Sequence, residues 1–192
     1  MKTVFCLLLV ISAGVSIAQK GKIVQFAVWK TKEGQLKNFE DGYKAHLNWH
    51  KNNSDKWKWY GWFVVSGPRT GYFMDGTFDH YWKDFDNPVN PIGDKMDNRD
   101  HVYPYADLQS VFKASFIPEV SIRNEKSLAV KYLQFISVIV TRQGGTADLF
   151  SKLKKRAISC GIRSLLGFKV VDGDDLRQMI LMACIQTHCL PI

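Results

Sequence analysis

His46 and His50 stand four residues apart in the segment His46-Leu47-Asn48-Trp49-His50. On a helix, positions i and i+4 share a face, so two imidazoles at this spacing can converge on one metal ion. The zinc-protease form of the spacing needs a glutamate directly after the first histidine, and Leu47 occupies that place. A third donor would come from Asp79, His80 or His101, and no local spacing selects among them. The sequence therefore assigns no metal. The plainer alternative is one hydrogen-bonded, half-buried histidine and one surface histidine, with His50 inside the apolar stripe and His46 on its flank.

A second candidate is Asp75, which follows the apolar run Tyr72-Phe73-Met74 and precedes Gly76-Thr77. A carboxylate enclosed by apolar side chains has a raised pKa and can serve as a general base. The competing reading is an edge strand with its polar side in water. Asp75 and His50 are the catalytic candidates. Ligand-binding candidates are Gln25, Trp29, His46, Trp62 and Phe63, the last two from the dense aromatic stretch between Trp57 and Phe63. Aromatic side chains offer a large apolar area, and tryptophan adds a polar tip. No serine-nucleophile elbow, P-loop, dinucleotide-binding glycine pattern or calcium loop is present.

The elements that position these residues follow from periodicity. Residues 23–29, IVQFAVW, alternate as a strand. Leu36, Phe39, Tyr43, Leu47 and His50 recur at helical steps over 35–51. Strands near 57–66 and 71–79 flank Gly67-Pro68-Arg69-Thr70-Gly71, a hairpin connection. A helix lies within 80–100, interrupted by Pro88 and Pro91, and a strand near 111–120 closes a β-α-β-β-α-β unit. Along the first strand, Val24, Phe26 and Val28 form a wholly apolar face that is expected to meet the helices. Gln25 and Trp29 lie on the opposite face.

The second half repeats the order: a strand at 132–140, a helix carrying Leu149, Leu153, Ile158 and Ile162, and strands after Gly167 and over 177–186. The phrase Gly61–Gly67 (GWFVVSG) reappears as Gly167–Gly173 (GFKVVDG), each time in the first strand after a helix. Residues 1–18 read as a secretory signal peptide: Lys2, then the apolar run Val4–Ile11, then small residues at Ser16 and Ala18. The expected organisation is a signal peptide (1–18), a first unit (19–125) and a second, incomplete unit (126–192). Export, to the periplasm or outside the cell, makes disulfides feasible. Cys160 and Cys184 are nevertheless read as small buried apolar residues, and Cys189 completes the mature set. The net charge of +8 is concentrated partly in Lys152–Arg156, a solvated helix face; no nucleic-acid-binding module accompanies it.

Two β-α-β-β units in series resemble the dimeric α+β barrel superfamily, which includes antibiotic-biosynthesis-type monooxygenases and the NIPSNAP and EthD groups. The resemblance covers about residues 22–186 and rests on element order and the internal echo. It implies an α+β fold: two tandem ferredoxin-like (βαββαβ) units, the second truncated, forming a pseudo-dimeric α+β barrel with a site inside the barrel into which Gln25 and Trp29 would look. The leading function is binding of a small apolar or aromatic molecule, or protein contacts, with no cofactor and with oligomerisation open. The alternative is a cofactor-independent monooxygenase. Haem held by His46 or His50 is the third reading.

Overall fold

The computed structural model describes residues 22–124, 126–141 and 146–184. Residues 1–18, Cys189 and the chain beyond 184 lie outside the described residues. Among the described residues, seven strands and three α-helices run in the order β1 (Ile23–Thr31), α1 (Leu36–Asn52), β2 (Trp59–Phe63), β3 (Tyr72–His80), α2 (Pro91–His101), β4 (Ala106–Phe116), β5 (Leu133–Ile139), α3 (Thr146–Ser159), β6 (Leu165–Asp172) and β7 (Gln178–Cys184). A 3-10 turn, Trp82–Phe85, precedes α2. All these strands join one antiparallel sheet in the order β2-β3-β1-β4-β6-β7-β5. The first three strands of each half are thus arranged alike, β2-β3-β1 and β6-β7-β5, and the halves meet where β4 pairs with β6. Gly61 and Gly167 are each the third residue of their strand. Added side chains there would collide with the Phe73 ring and the Val120 side chain, respectively. Gly67 and Gly173 both close their turns at φ of 95° and 85°, the left-handed region that favours glycine.

The sheet curls so that its two halves pack inner face to inner face. Phe26, fully buried, is the hub: its ring lies 5.3–6.0 Å from those of Phe78, Phe112, Phe135 and Phe168, which come from both halves. Val24, Val28, Ala114, Val170, Ile180 and Met182 complete this core. The expectation for β1 is therefore inverted. Its wholly apolar face meets the other half of the sheet, because an interior walled by sheet on both sides excludes water most completely. The face bearing Gln25 and Trp29 lies under α1 and α2. Trp62 stacks with Tyr60 against the inner core, and Phe63 packs on Phe39 and Phe73 at the end of the strand.

Three other expectations shift. Strand β4 begins earlier, at Ala106, and ends before Pro118, which cannot continue a ladder. Pro91 starts α2 instead of breaking it: it occupies the first turn, where a missing N–H costs nothing, behind an Asn90 cap whose Oδ1 accepts from Gly93 N at 3.1 Å. On α3, Ala157 and Phe150 turn inward while Leu149, Leu153 and Ile158 stay largely exposed; Cys160 is likewise exposed and Cys184 half-buried.

Candidate functional site

The polar cluster lies in the layer between the helices and the sheet. Helix α1 buries Phe39, Gly42, Tyr43 and His46 on one stripe, and His50 extends that stripe by one turn. Helix α2 presents Asp94, Asp97 and Asn98, spaced three and four apart, to the same side. The helices can approach because Gly42 has no side chain: a Cβ there would run into the backbone carbonyl of His101. Asp55 reaches back to His50 because Ser54 adopts φ 61° just after α1 and reverses the chain.

Each histidine has a carboxylate beside Nδ1. His46 Nδ1–H donates to Asp97 Oδ2 at 2.7 Å. His50 Nδ1 lies 2.9 Å from Asp55 Oδ2, near enough to pair as charges but off the hydrogen-bond axis, so that nitrogen has no aligned partner. The two Nε2 atoms face each other at 3.0 Å. Asp94 Oδ1 stands 3.4 Å from the first and 3.5 Å from the second. Asn98 Nδ2 donates to His46 Nε2 at 3.1 Å and to Asp94 Oδ1 at 3.2 Å. Burial is the main cause that lowers the His46 pKa, and His50 lowers it further, while Asp97 and Asp94 oppose the shift.

Beneath the helices, cross-strand register places Trp59, Thr77, Gln25 and Lys113 in one row, since Trp59 pairs with Thr77, Thr77 with Gln25 and Gln25 with Lys113. The next row runs Gly61, Asp75, Ala27, Val111. Gly61 and Ala27 flank Asp75 on the neighbouring strands, the Phe73 ring fills the space over Gly61, and Asp75 lines the cavity beneath the helices. Asp75 Oδ2 accepts from Trp29 Nε1 at 2.8 Å, whereas Oδ1 is buried without a partner. Burial drives the Asp75 pKa up to about 6, against the Trp29 hydrogen bond and against the nearby Tyr43 hydroxyl and Ala27 backbone N–H, neither of which is aligned to bond Oδ1. Burial, with the Asp75 charge nearby, also holds the Tyr43 hydroxyl well above its ordinary pKa.

Two adjoining cavities of about 280 and 200 Å³ occupy this layer and share Gln25, His50, Trp59 and Asp94 as walls. Trp57, Phe85 and Pro88 line the larger; Trp29, His46 and Asp75 line the smaller. Among the described residues, four buried side-chain atoms lack a hydrogen-bond partner: His50 Nδ1, Trp59 Nε1, Asp75 Oδ1 and Ser164 Oγ. Three of the four belong to this one site. Native structures leave few such atoms, so their concentration in one place is informative.

Gln25, Trp29, His46, His50 and Asp75 are thus brought together, under the helices and not inside the curled sheet. Trp62 and Phe63 are not part of the cluster. Both sit on β2, but Trp62 points to the inner core and Phe63 lies beyond the Gly61 row. The third donor beside the histidines is Asp94. Asp79 is held by a bidentate Arg123 pair, the His80 ring nitrogen bonds Thr77 Oγ1 at 2.7 Å, and half-exposed His101 sits against Asp97. Asp94, Asp97, Asn98 and Asp55 went unmarked as candidates in the sequence, and Trp59 counted only as one ring of the aromatic stretch. The usable signal was the Asn90-Pro91 helix start, after which 94, 97 and 98 fall on one face.

No protein-family model matches the chain, and no curated protein sequence matches it. Solved structures do resemble it in fold. A proposed monooxygenase from Fusobacterium nucleatum superposes with a TM-score of 0.54 at 10% identity, covering 85% of this chain and 75% of that one. A proposed chlorite dismutase gives 0.50 at 11% identity, with 85% and 79% covered. A mutant chlorite dismutase from Candidatus Nitrospira defluvii gives 0.52 at 6% identity, with 86% and 77% covered. At these identities the likeness is one of fold: an α+β chain with a seven-stranded antiparallel sheet of the chlorite dismutase-like type.

Proposed function

We propose that the chain binds a small, partly aromatic molecule in the layer between α1, α2 and the sheet of its first half. The observation that carries this reading is the pair of unmatched polar atoms in a cavity about half of whose walls are aromatic or imidazole rings. Trp59 Nε1 is a buried donor without an acceptor, and Asp75 Oδ1 a buried acceptor without a donor. A ligand with one carbonyl- or ether-type oxygen and one hydroxyl or N–H would satisfy both, and each satisfied buried group removes about 1–3 kcal/mol of desolvation cost. Cavities of 280 and 200 Å³ lie at or below the small end of ligand pockets, roughly 300–1,000 Å³, and suit one or two rings.

A catalytic reading is supported by Asp75 itself. A carboxylate with a pKa of about 6, next to a cavity, can accept a proton from a bound phenol-like or carbon acid near neutral pH. This fits the monooxygenase in the comparison by fold alone. Haem is compatible with the fold, but the side chains favour a smaller occupant. Each histidine Nε2 faces the other at 3.0 Å, so a macrocycle on either nitrogen would take the space the second imidazole holds.

Residues 1–18 are proposed to direct export, and the matching strand orders of the halves to descend from duplication of one ferredoxin-like unit. The test of the binding reading is quenching of tryptophan fluorescence by a panel of hydroxylated aromatics. Quenching is expected in the wild type and reduced at least about tenfold in affinity by Trp59→Phe, which removes one hydrogen bond of roughly 1.4 kcal/mol. Oxygen consumption with a quenching ligand, abolished in Asp75→Asn, separates catalysis from binding.

A further inference from the structure

We propose that His46 Nε2, His50 Nε2 and Asp94 Oδ1 form a binding site for one divalent first-row transition-metal ion, open toward the larger cavity. The three atoms make a triangle with edges of 3.0, 3.4 and 3.5 Å. Metal–ligand bonds of about 2.0–2.1 Å put neighbouring donors roughly 3.0 Å apart at right angles and about 3.3–3.4 Å apart in a tetrahedron. The triangle already has the size of one face of either polyhedron, so an ion needs little rearrangement of side chains to be held.

The surroundings match what a metal-binding histidine requires. The nitrogen opposite each donor atom lies beside a carboxylate, Asp97 for His46 and Asp55 for His50. For His46 the hydrogen bond to Asp97 orients the ring; His50 has Asp55 beside Nδ1 without an aligned hydrogen bond, and both Nε2 atoms point away from those carboxylates, toward each other and toward Asp94. Without an ion, the 3.0 Å contact is a hydrogen bond between the two Nε2 atoms whose direction depends on the tautomers, and the Asn98 amide lies 3.1 Å from His46 Nε2; an ion would replace that shared proton. The network also explains why His46 and His50 are buried with so many acidic neighbours in a protein of net charge +8. Two imidazoles and one carboxylate are suited to iron, zinc, cobalt or nickel, and poorly suited to magnesium or calcium, which take oxygen-rich shells. Three protein donors leave positions free, and His50 and Asp94 both line the larger cavity, so an incoming ligand could reach the ion.

The proposal stands apart from the organic-ligand reading and is tested without that ligand. The full chain, freed of metal by chelation, is titrated with cobalt(II). Ligand-field absorption in the visible range should rise and saturate at one equivalent, be displaced by zinc(II), and ignore millimolar magnesium. His50→Ala and Asp94→Asn should each weaken cobalt binding by more than the roughly 10–100-fold typical of losing an outer partner. Cys160→Ser, which removes an exposed thiol that could bind cobalt adventitiously, should change nothing. Asp94 is only partly buried and so keeps the test valid if His50→Ala fails to fold; circular dichroism reports which variants are folded. No saturable cobalt band in folded wild type would overturn the proposal, and so would a band unchanged in folded Asp94→Asn. If cobalt binds as expected while no aromatic quenches fluorescence, only the organic-ligand reading fails.

Discussion

The two halves of the sheet share one arrangement and differ in what they place under their helices. In the first half, Gly61 pairs with Asp75 and Trp59 with Thr77. At the same places in the second half, Gly167 pairs with Leu181 and Leu165 with Ala183. A buried carboxylate that lines a cavity thus corresponds to a buried leucine packed on Ala157 and Val120. The first half also has a second helix, α2, whose acids meet the histidines of α1. Among the described residues, the second half has α3 alone. A shared three-strand order therefore carries a polar, cavity-lined layer in one half and plain packing in the other. The difference lies in a few residues on the helix-facing side, while the shared inner core holds both halves.

Breaking that contrast should have its largest effect in the second half. Leu181→Asp introduces a carboxylate where no donor waits, and it removes a buried leucine. A loss of more than about 4 kcal/mol is expected, read as a fall in the urea midpoint or as failure to fold. Asp75→Leu makes the first half like the second and should fold, with its fluorescence response to aromatics lost.

Asp75→Asn should produce the next largest change, of opposite sign. The native pKa of about 6 lies above the ordinary value of 3.8, so the folded state holds this proton more tightly than the unfolded state. Its contribution is fully present below pH about 4 and is lost as pH rises through about 6. At pH 7 the wild type should be less stable than Asp75→Asn by up to about 3 kcal/mol, with the difference vanishing near pH 4. Denaturant melts at the two pH values measure it.

Gly42→Ala should cost about 1–3 kcal/mol by forcing α1 away from the His101 carbonyl. It should also abolish cobalt binding, because the histidines ride on α1 and Asp94 on α2. An equivalent change on exposed Leu149 of α3 should do neither. The smallest effect belongs to Lys113→Ala. It cuts the 2.8 Å pair with exposed Asp172 across the seam between the halves and should scarcely move the melting temperature.

The element order was legible because its signals are local: the helical stripe from Leu36 to His50, the alternation of 23–29, and the glycines that close each hairpin. Which face of a strand meets which layer was not legible. Val24, Phe26 and Val28 look equally suited to a helix or to an opposing sheet, and only the way the halves fold together decides. His46 and His50 stood out by spacing along one helix. Asp94 did not, because it lies far along the chain from both and meets them only where Gly42 lets two helices touch. Trp62 and Phe63 were drawn in by composition, whereas Trp59, earlier on the same strand, has the unmatched indole.

The central claim is that the helix-covered layer, not the interior of the curled sheet, receives ligand. The six tryptophans give separate indole N–H resonances in a ¹⁵N-labelled protein. On addition of a hydroxylated aromatic that quenches fluorescence, Trp59 and Trp29 should shift progressively and saturably while Trp62 stays in place. A saturable shift of Trp62 with Trp59 and Trp29 unmoved would place the ligand inside the sheet and contradict the account.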